Sequence, residues 1–149
     1  VAMTLLEIAE SGGRKFALIH FSGPGSVKVD LFPPTQTTVE DRLRAAEIFL
    51  DGGTDFCTPL NEALWLMTEE AFENADVVFI TDGECALPAE YISKLQKEQA
   101  NRRFTITGIL MDQGNEGMDF SLRDFCQNIY RTSELTGDTI VEKIITNRV

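Results

Sequence analysis

Histidine occurs once in these 149 residues, at His20, so neither a two-histidine metal motif such as HExxH nor a three-histidine zinc site can be assembled. Cysteine is scarce as well. Cys57, Cys85 and Cys126 are an odd number without CxxC spacing, which argues against a disulfide framework or a zinc knuckle and points to a reduced, cytoplasmic setting. Basic residues are outnumbered: 13 Lys and Arg face 24 Asp and Glu, a net charge of −11 that repels phosphate backbones and anionic lipid. Nucleic acid and membrane are therefore not expected as partners. No apolar run approaches the roughly 18 residues of a membrane span, and no charged-then-apolar leader opens the chain. There is no GxxxxGK[ST] segment, and Gly23-Pro24-Gly25 lacks the rest of a dinucleotide fingerprint, so nucleotide binding has little support.

What is present suits a globular core: 43% of residues are hydrophobic and 25% charged, in a length that suggests one domain over residues 1–149. Ala2, Leu5, Leu6 and Ala9 recur at helical spacing until Ser11-Gly12-Gly13 supplies a stop. The chain opens on Val1 inside this apolar stretch, which we read as a piece of a longer protein. The apolar run from Phe16 to Phe21 predicts a strand covered on both faces, and the alternation of Val27, Val29 and Leu31 with polar neighbours predicts a half-exposed partner across a tight turn. Val39, Leu43, Ala46 and Leu50 mark a helix. A further helix is expected with Thr58 as its cap, Pro59 in its first position, and Leu60, Ala63, Leu64, Met67 and Ala71 inward, Trp65 also serving packing. Val77-Val-Phe-Ile80 is a second buried strand. Pro88 opens a helix with Tyr91, Ile92 and Leu95 inward, and the run from Phe104 to Leu110 is a third strand. A short helix around Phe120, Leu122 and Phe125, a short strand from Asn128 to Arg131 and a closing helix with Ile140, Val141, Ile144 and Ile145 complete the chain. Buried strands alternating with amphipathic helices predict an α/β fold, a doubly wound and mostly parallel sheet.

In such sheets ligands bind beyond the carboxyl ends of the strands, which directs attention to residues 22–26, 52–58, 81–85 and 112–117. Asp82 follows an apolar strand directly, where a carboxylate can ligate a hard cation, accept a phosphoryl group, or simply form an Asp-Gly turn. In Gly52-Gly53-Thr54-Asp55 the glycines permit close backbone approach and Thr54 offers a hydroxyl oxygen, though a flexible connector would read the same way. His20 lies in an apolar run and is read as a packed, hydrogen-bonded side chain, not a general base. Cys57 and Cys85 are read as small packing residues, since no nearby Lys or Arg is placed to depress a thiol pKa.

Taken in order, Phe16-Ala-Leu-Ile-His-Phe-Ser22, Gly52-Gly-Thr-Asp55 followed by Pro59-Leu60, and Val77-Val-Phe-Ile-Thr-Asp-Gly83 resemble the von Willebrand factor A (VWA) family over nearly the whole chain. The Gly-Gly-Thr-Asp form and the acidic character are most similar to bacterial intracellular members, the ViaA and CoxE-like proteins that partner MoxR-type AAA+ ATPases. The resemblance implies a Rossmann-like sheet of strand order 3-2-1-4-5-6 with edge strand 3 antiparallel. It also implies Thr54 and Asp82 as ligands of a metal-ion-dependent adhesion site holding Mg²⁺ or Mn²⁺. The family's first motif, Asp-x-Ser-x-Ser at the end of its first strand, has no counterpart here. A strand, a loop and part of a helix, on the order of 30 residues, are thus expected upstream, making the site in these residues incomplete.

The function expected on this basis is a metal-ion-dependent protein-binding module, an adaptor or partner of a MoxR-type AAA+ ATPase rather than an enzyme. A partner protein would donate an acidic residue to the metal, with Gly53, Asp55, Gly83 and Glu84 on the recognition rim. The alternative is a Mg²⁺-dependent phosphatase or phosphoacceptor domain using Asp82, with Glu84 or Asp112 as second carboxylate. That reading lacks a lysine after a predicted strand, because Lys94, Lys97 and Lys143 fall in helices.

Overall fold

The sequence periodicities take shape in a computed structural model that describes residues 2–23, 25–32, 40, 55–68, 72, 75–81, 86–111 and 120–135. The chain divides into two compact units, Val1–Glu73 and Asn74–Val149, taken in turn. Of the expected helix at residues 39–50 only residue 40 is described, and it is helical; the expected helix at residues 140–145 lies outside the described residues.

In the first unit, helix α1 (Ala2–Ser11) turns Leu5 and Leu6 inward. It ends where the sequence stops it: Gly13 adopts φ +66, the Gly13 amide donates to the Glu10 carbonyl and the Arg14 amide to the Ala9 carbonyl. This pair of bonds, closing on a left-handed glycine, satisfies carbonyls that the helix end would otherwise orphan. Strands β1 (Phe16–Phe21) and β2 (Val27–Phe32) pair antiparallel from Phe16 opposite Phe32 to Phe21 opposite Val27. Directly opposite residues share a face, so Phe16, Leu18, His20, Lys28, Asp30 and Phe32 lie on one side. There Leu6 and Phe32 form a core with Met3, Phe16 and Leu18 packed against it. On the other side Phe21 meets the edge of the Phe56 ring, centroids 6.2 Å apart. The apolar run of β1 predicts a strand buried on both faces; instead every β1 residue is half-buried. Among the described residues β1 pairs with β2 alone, which leaves it short of the cover that a central strand receives.

Helix α2 (Cys57–Leu66) buries Pro59, Leu60 and Leu66, with Met67 buried at its end. Trp65 corrects the sequence reading: it is 60% exposed, because the buried positions 59, 60, 66 and 67 turn the opposite side of the helix inward. Ala63 and Leu64 are half-buried.

The second unit holds a three-stranded parallel sheet in the order β3 (Val77–Thr81), β4 (Ile106–Leu110), β5 (Asn128–Arg131). The strand read as starting at Phe104 begins two residues later, because α3 (Ala89–Arg102) claims what precedes it: Arg103 takes a left-handed conformation and the Phe104 amide donates back to the Gln99 carbonyl. Pro88 stands just before the first turn of α3, as expected. On one face of the sheet, Phe79 meets Phe125 edge-on at 5.2 Å and Gly108 lies beneath Leu122 and Cys126, brought there by the single-turn helix α4 (Phe120–Arg123).

A buried Gln99 on α3 donates from Nε2 to the Phe125 carbonyl at 2.8 Å. Gln127 accepts the Ile106 amide on Oε1 at 2.8 Å while its backbone N–H donates to the Ile106 carbonyl. A side-chain amide thus stands in for a strand at the start of β4 and satisfies backbone groups that burial would otherwise penalise. Among the described residues the chain is mixed α/β, with one parallel and one antiparallel sheet. Among the described residues no helix is long and apolar enough to cross a membrane.

Candidate functional site

The candidate ligands Thr54 and Asp82 lie outside the described residues, as do Gly53, Gly83 and Glu84 of the expected rim, Cys85 and Asp112. Asp55 is described, with the hairpin turn at residues 22–26 and the start of α2 beside it. In the turn, the Ser26 amide donates to the Gly23 carbonyl, the Ser22 amide donates to the Ser26 carbonyl, and Gly25 takes φ +74, which a side chain would resist. The Asp55 amide donates to the Ser22 carbonyl at 2.7 Å, fastening the residue after Thr54 to the end of β1.

The start of α2 differs from the sequence reading. Thr58 does not precede the helix as its cap; it lies inside the first turn, the N-cap position is Phe56, and the side chain of Asp55, one residue earlier, takes up first-turn amides. The Asp55 Oδ2 accepts the Thr58 amide at 3.0 Å and the Thr58 hydroxyl at 2.5 Å, and the Cys57 amide also bonds to this carboxylate. A carboxylate satisfies first-turn amides better than a neutral hydroxyl and favours the positive end of the helix dipole. Pro59 becomes the third helical residue, where its missing N–H costs nothing because first-turn amides have no partner within the helix. The Leu60 amide then opens the helical ladder by donating to the Phe56 carbonyl.

Thr58 has a second task. Its Oγ1 accepts the Gly25 amide at 3.0 Å, so one hydroxyl gives its proton to Asp55 and takes one from the turn. Burial alone would raise the Asp55 pKa, but the Thr58 hydroxyl and the amides of Thr58 and Cys57 outweigh it and hold the carboxyl below the usual aspartate value. Its Oδ2 is committed within the protein, which leaves Asp55 a poor candidate for a metal ligand.

His20, expected to be packed and hydrogen-bonded, is both: its Nε2 lies 2.9 Å from the Asp30 Oδ2 on the neighbouring strand, with the Lys28 Nζ 3.8 Å from the other oxygen. Cys57 is half-buried, and burial pushes the Cys126 thiol up, so it stays protonated and serves packing. Among the described residues the buried Arg131 Nη1 at the end of β5 meets no hydrogen-bond partner, and nothing in the sequence marks it. Among the described residues no group of three or more His, Cys, Asp or Glu side chains gathers as a metal centre.

No family model matches the chain, and no solved structure does. The uncharacterized protein MJ0077 of Methanocaldococcus jannaschii is 27% identical over 146 residues, covering 97% of this chain and 36% of that protein. The uncharacterized protein MJ0811 of the same organism is 32% identical over 98 residues, 65% of this chain and 22% of that protein. The chain therefore spans about a third, or less, of the curated relatives it matches.

Proposed function

We propose that this chain is a metal-ion-dependent protein-binding module of the VWA type, a doubly wound domain that partners a MoxR-type AAA+ ATPase. The observation that carries the reading is the order and sense of the strands. An antiparallel β1–β2 pair followed by a parallel β3–β4–β5 sheet corresponds to strands 2-3 and 4-5-6 of the order 3-2-1-4-5-6. The member of that order not found among the described residues is the first strand, whose Asp-x-Ser-x-Ser motif this sequence also lacks. β1 leads at its carboxyl end into the hairpin turn, to which the Ser22–Asp55 bond ties the residue that follows Thr54, and Asp82 follows β3 in the sequence.

The donor set fits a hard cation. Thr54 and Asp82 offer a neutral hydroxyl and one carboxylate, and Mg²⁺ accepts oxygen ligands with water completing the shell. A divalent cation held by few negative ligands stays electrophilic, so a partner's Asp or Glu can join its coordination. Gly53, Asp55, Gly83 and Glu84 are the residues we assign to that contact. No covalent step is required.

The test is a Mn²⁺ and Mg²⁺ titration of the full natural polypeptide followed by thermal unfolding, with Asp82→Ala and Thr54→Val as controls. Binding to the native state stabilises it by RT ln(1 + [L]/Kd), about 2.7 kcal/mol at a hundredfold excess over Kd. A saturable rise abolished by Asp82→Ala is expected. The absence of any rise would overturn the metal reading, and acetyl-phosphate labelling lost in Asp82→Asn would replace the binding module with a phosphoacceptor.

A further inference from the structure

Resting on that reading, we infer that Asp55 and Thr58 are positioning residues for Thr54: a two-point latch that ties Asp55, the next residue in the chain, to the hairpin turn through its own amide and through the Thr58 hydroxyl. The loop residues 52–54 run directly into Asp55. Its backbone amide is fixed on Ser22 at 2.7 Å, and its carboxylate is fixed on the first turn of α2. Consecutive Cα atoms are about 3.8 Å apart across a trans peptide, so anchoring Asp55 restricts where the Thr54 hydroxyl can be presented.

The second point of the latch spans 33 residues of sequence, from the Gly25 amide to the Thr58 Oγ1. The direction of each bond is set by chemistry. The carboxylate can only accept, so the hydroxyl proton goes to Asp55, and the backbone N–H of Gly25 can only donate, so it takes an oxygen lone pair. A helix cap needs only the first of these bonds. The second reaches the exposed turn, where Gly25 has a left-handed backbone and its amide would otherwise face water. The geometry therefore does more than start a helix: it joins Asp55, the residue that follows Thr54, to the hairpin turn at two points.

Thr58→Val tests this, since it keeps the shape and the Thr58 amide bond to Asp55 but removes the hydroxyl, while Thr58→Ser restores the hydroxyl. Two readouts are taken on the full natural polypeptide: amide hydrogen exchange at Gly25 without metal, and the Kd for Mn²⁺. Losing one net hydrogen bond corresponds to roughly three- to tenfold, so Thr58→Val should speed Gly25 exchange and weaken Mn²⁺ binding each by about that factor. Thr58→Ser should return both to within about twofold of the parent. Thr58→Ala repeats the test if circular dichroism shows that the valine variant does not fold.

Unchanged Gly25 exchange in Thr58→Val would overturn the latch whatever the metal does. Faster exchange with unchanged Mn²⁺ affinity would leave a structural tie and overturn the positioning role. A parent protein that binds no Mn²⁺ would overturn the metal reading itself and the positioning role with it. That failure is recognised in the parent before any variant is made.

Discussion

Gly108 is tightly enclosed, and adding one methyl group there has a calculable effect. A Cβ built on Gly108 would stand 2.9 Å from the Cys126 Sγ, 3.4 Å from the Leu122 Cδ1 and 3.5 Å from the Cys126 Cβ. Favourable contacts between heavy atoms lie near 3.5–4.0 Å, so the sulfur is too close by about half an ångström or more. The backbone cannot yield easily, because β4 is paired to β3 on one side and β5 on the other. Leu122 is fully buried and Cys126 nearly so, so neither side chain has solvent to swing into. Overpacking of this kind costs about 1–3 kcal/mol. Alanine recovers about 0.5–1 kcal/mol by restricting the unfolded chain, which at the middle of both ranges leaves Gly108→Ala destabilised by about 1 kcal/mol. Urea unfolding followed by far-UV circular dichroism should show a lower midpoint at unchanged slope. The decisive comparison is the double variant with Cys126→Ala. Deleting the sulfur removes the closest contact, so the two losses should fall short of additive by about 1 kcal/mol. A Gly108→Ala protein as stable as the parent, or strict additivity in the cycle, would refute the reasoning.

Two further outcomes follow from local geometry. Arg103 ends α3 at φ 55 and ψ 52, a conformation in which a side chain is strained and glycine is not. Arg103→Gly should therefore raise stability by about 0.5–1 kcal/mol, read from the same urea midpoint, and a loss would show that the Arg103 side chain contributes more than its backbone costs. In the metal-free protein, Asp55 should contribute to acid sensitivity. Its folded pKa lies below the unfolded value, so its stabilisation is fully present above the ordinary aspartate range and is lost as pH falls through the depressed folded value. The gap in thermal midpoint between the parent and Asp55→Asn should be constant from about pH 7 to pH 5 and shrink toward about pH 2. A gap independent of pH would rule out the ionised carboxylate as the stabilising species.

Much of the fold was legible because period and punctuation agree along the chain. The Gly12-Gly13 stop, the β1–β2 hairpin, the Val77 and Ile106 strands and the short strand at Asn128 all stand where the apolar patterns put them. Misreadings occurred where two local signals overlap. The apolar run continues from Phe104 into β4, but the left-handed Arg103 draws Phe104 into the end of the helix. Trp65 looks like a core residue by type, and only the turn of α2 decides that the buried side runs through Leu60 and Leu66 instead. The Gln99–Gln127 pairing had no sequence signal, since glutamine in a polar helix stretch ordinarily faces water, and here it is the return of the chain after α4 that brings the Phe125 carbonyl over it.

The candidate site shows the limit more sharply, because its described part depends on which of two neighbouring side chains takes up the first-turn amides of a helix. Pro59 favours Thr58 as cap, since proline prefers the first helical position. Asp55 competes with a stronger acceptor and wins, moving the helix start upstream and releasing the Thr58 oxygen lone pairs. What those lone pairs then hold is the Gly25 amide, 33 residues earlier in the chain. A capping preference is local and can be weighed from the residues 55–59 alone. The partner of a released lone pair is set by how the hairpin folds over the helix start, so its identity follows from the tertiary structure. Asp55, read from the sequence as a rim carboxylate, thus has its Oδ2 on the first turn of α2 and its amide on Ser22, and no periodicity of the chain announces either bond.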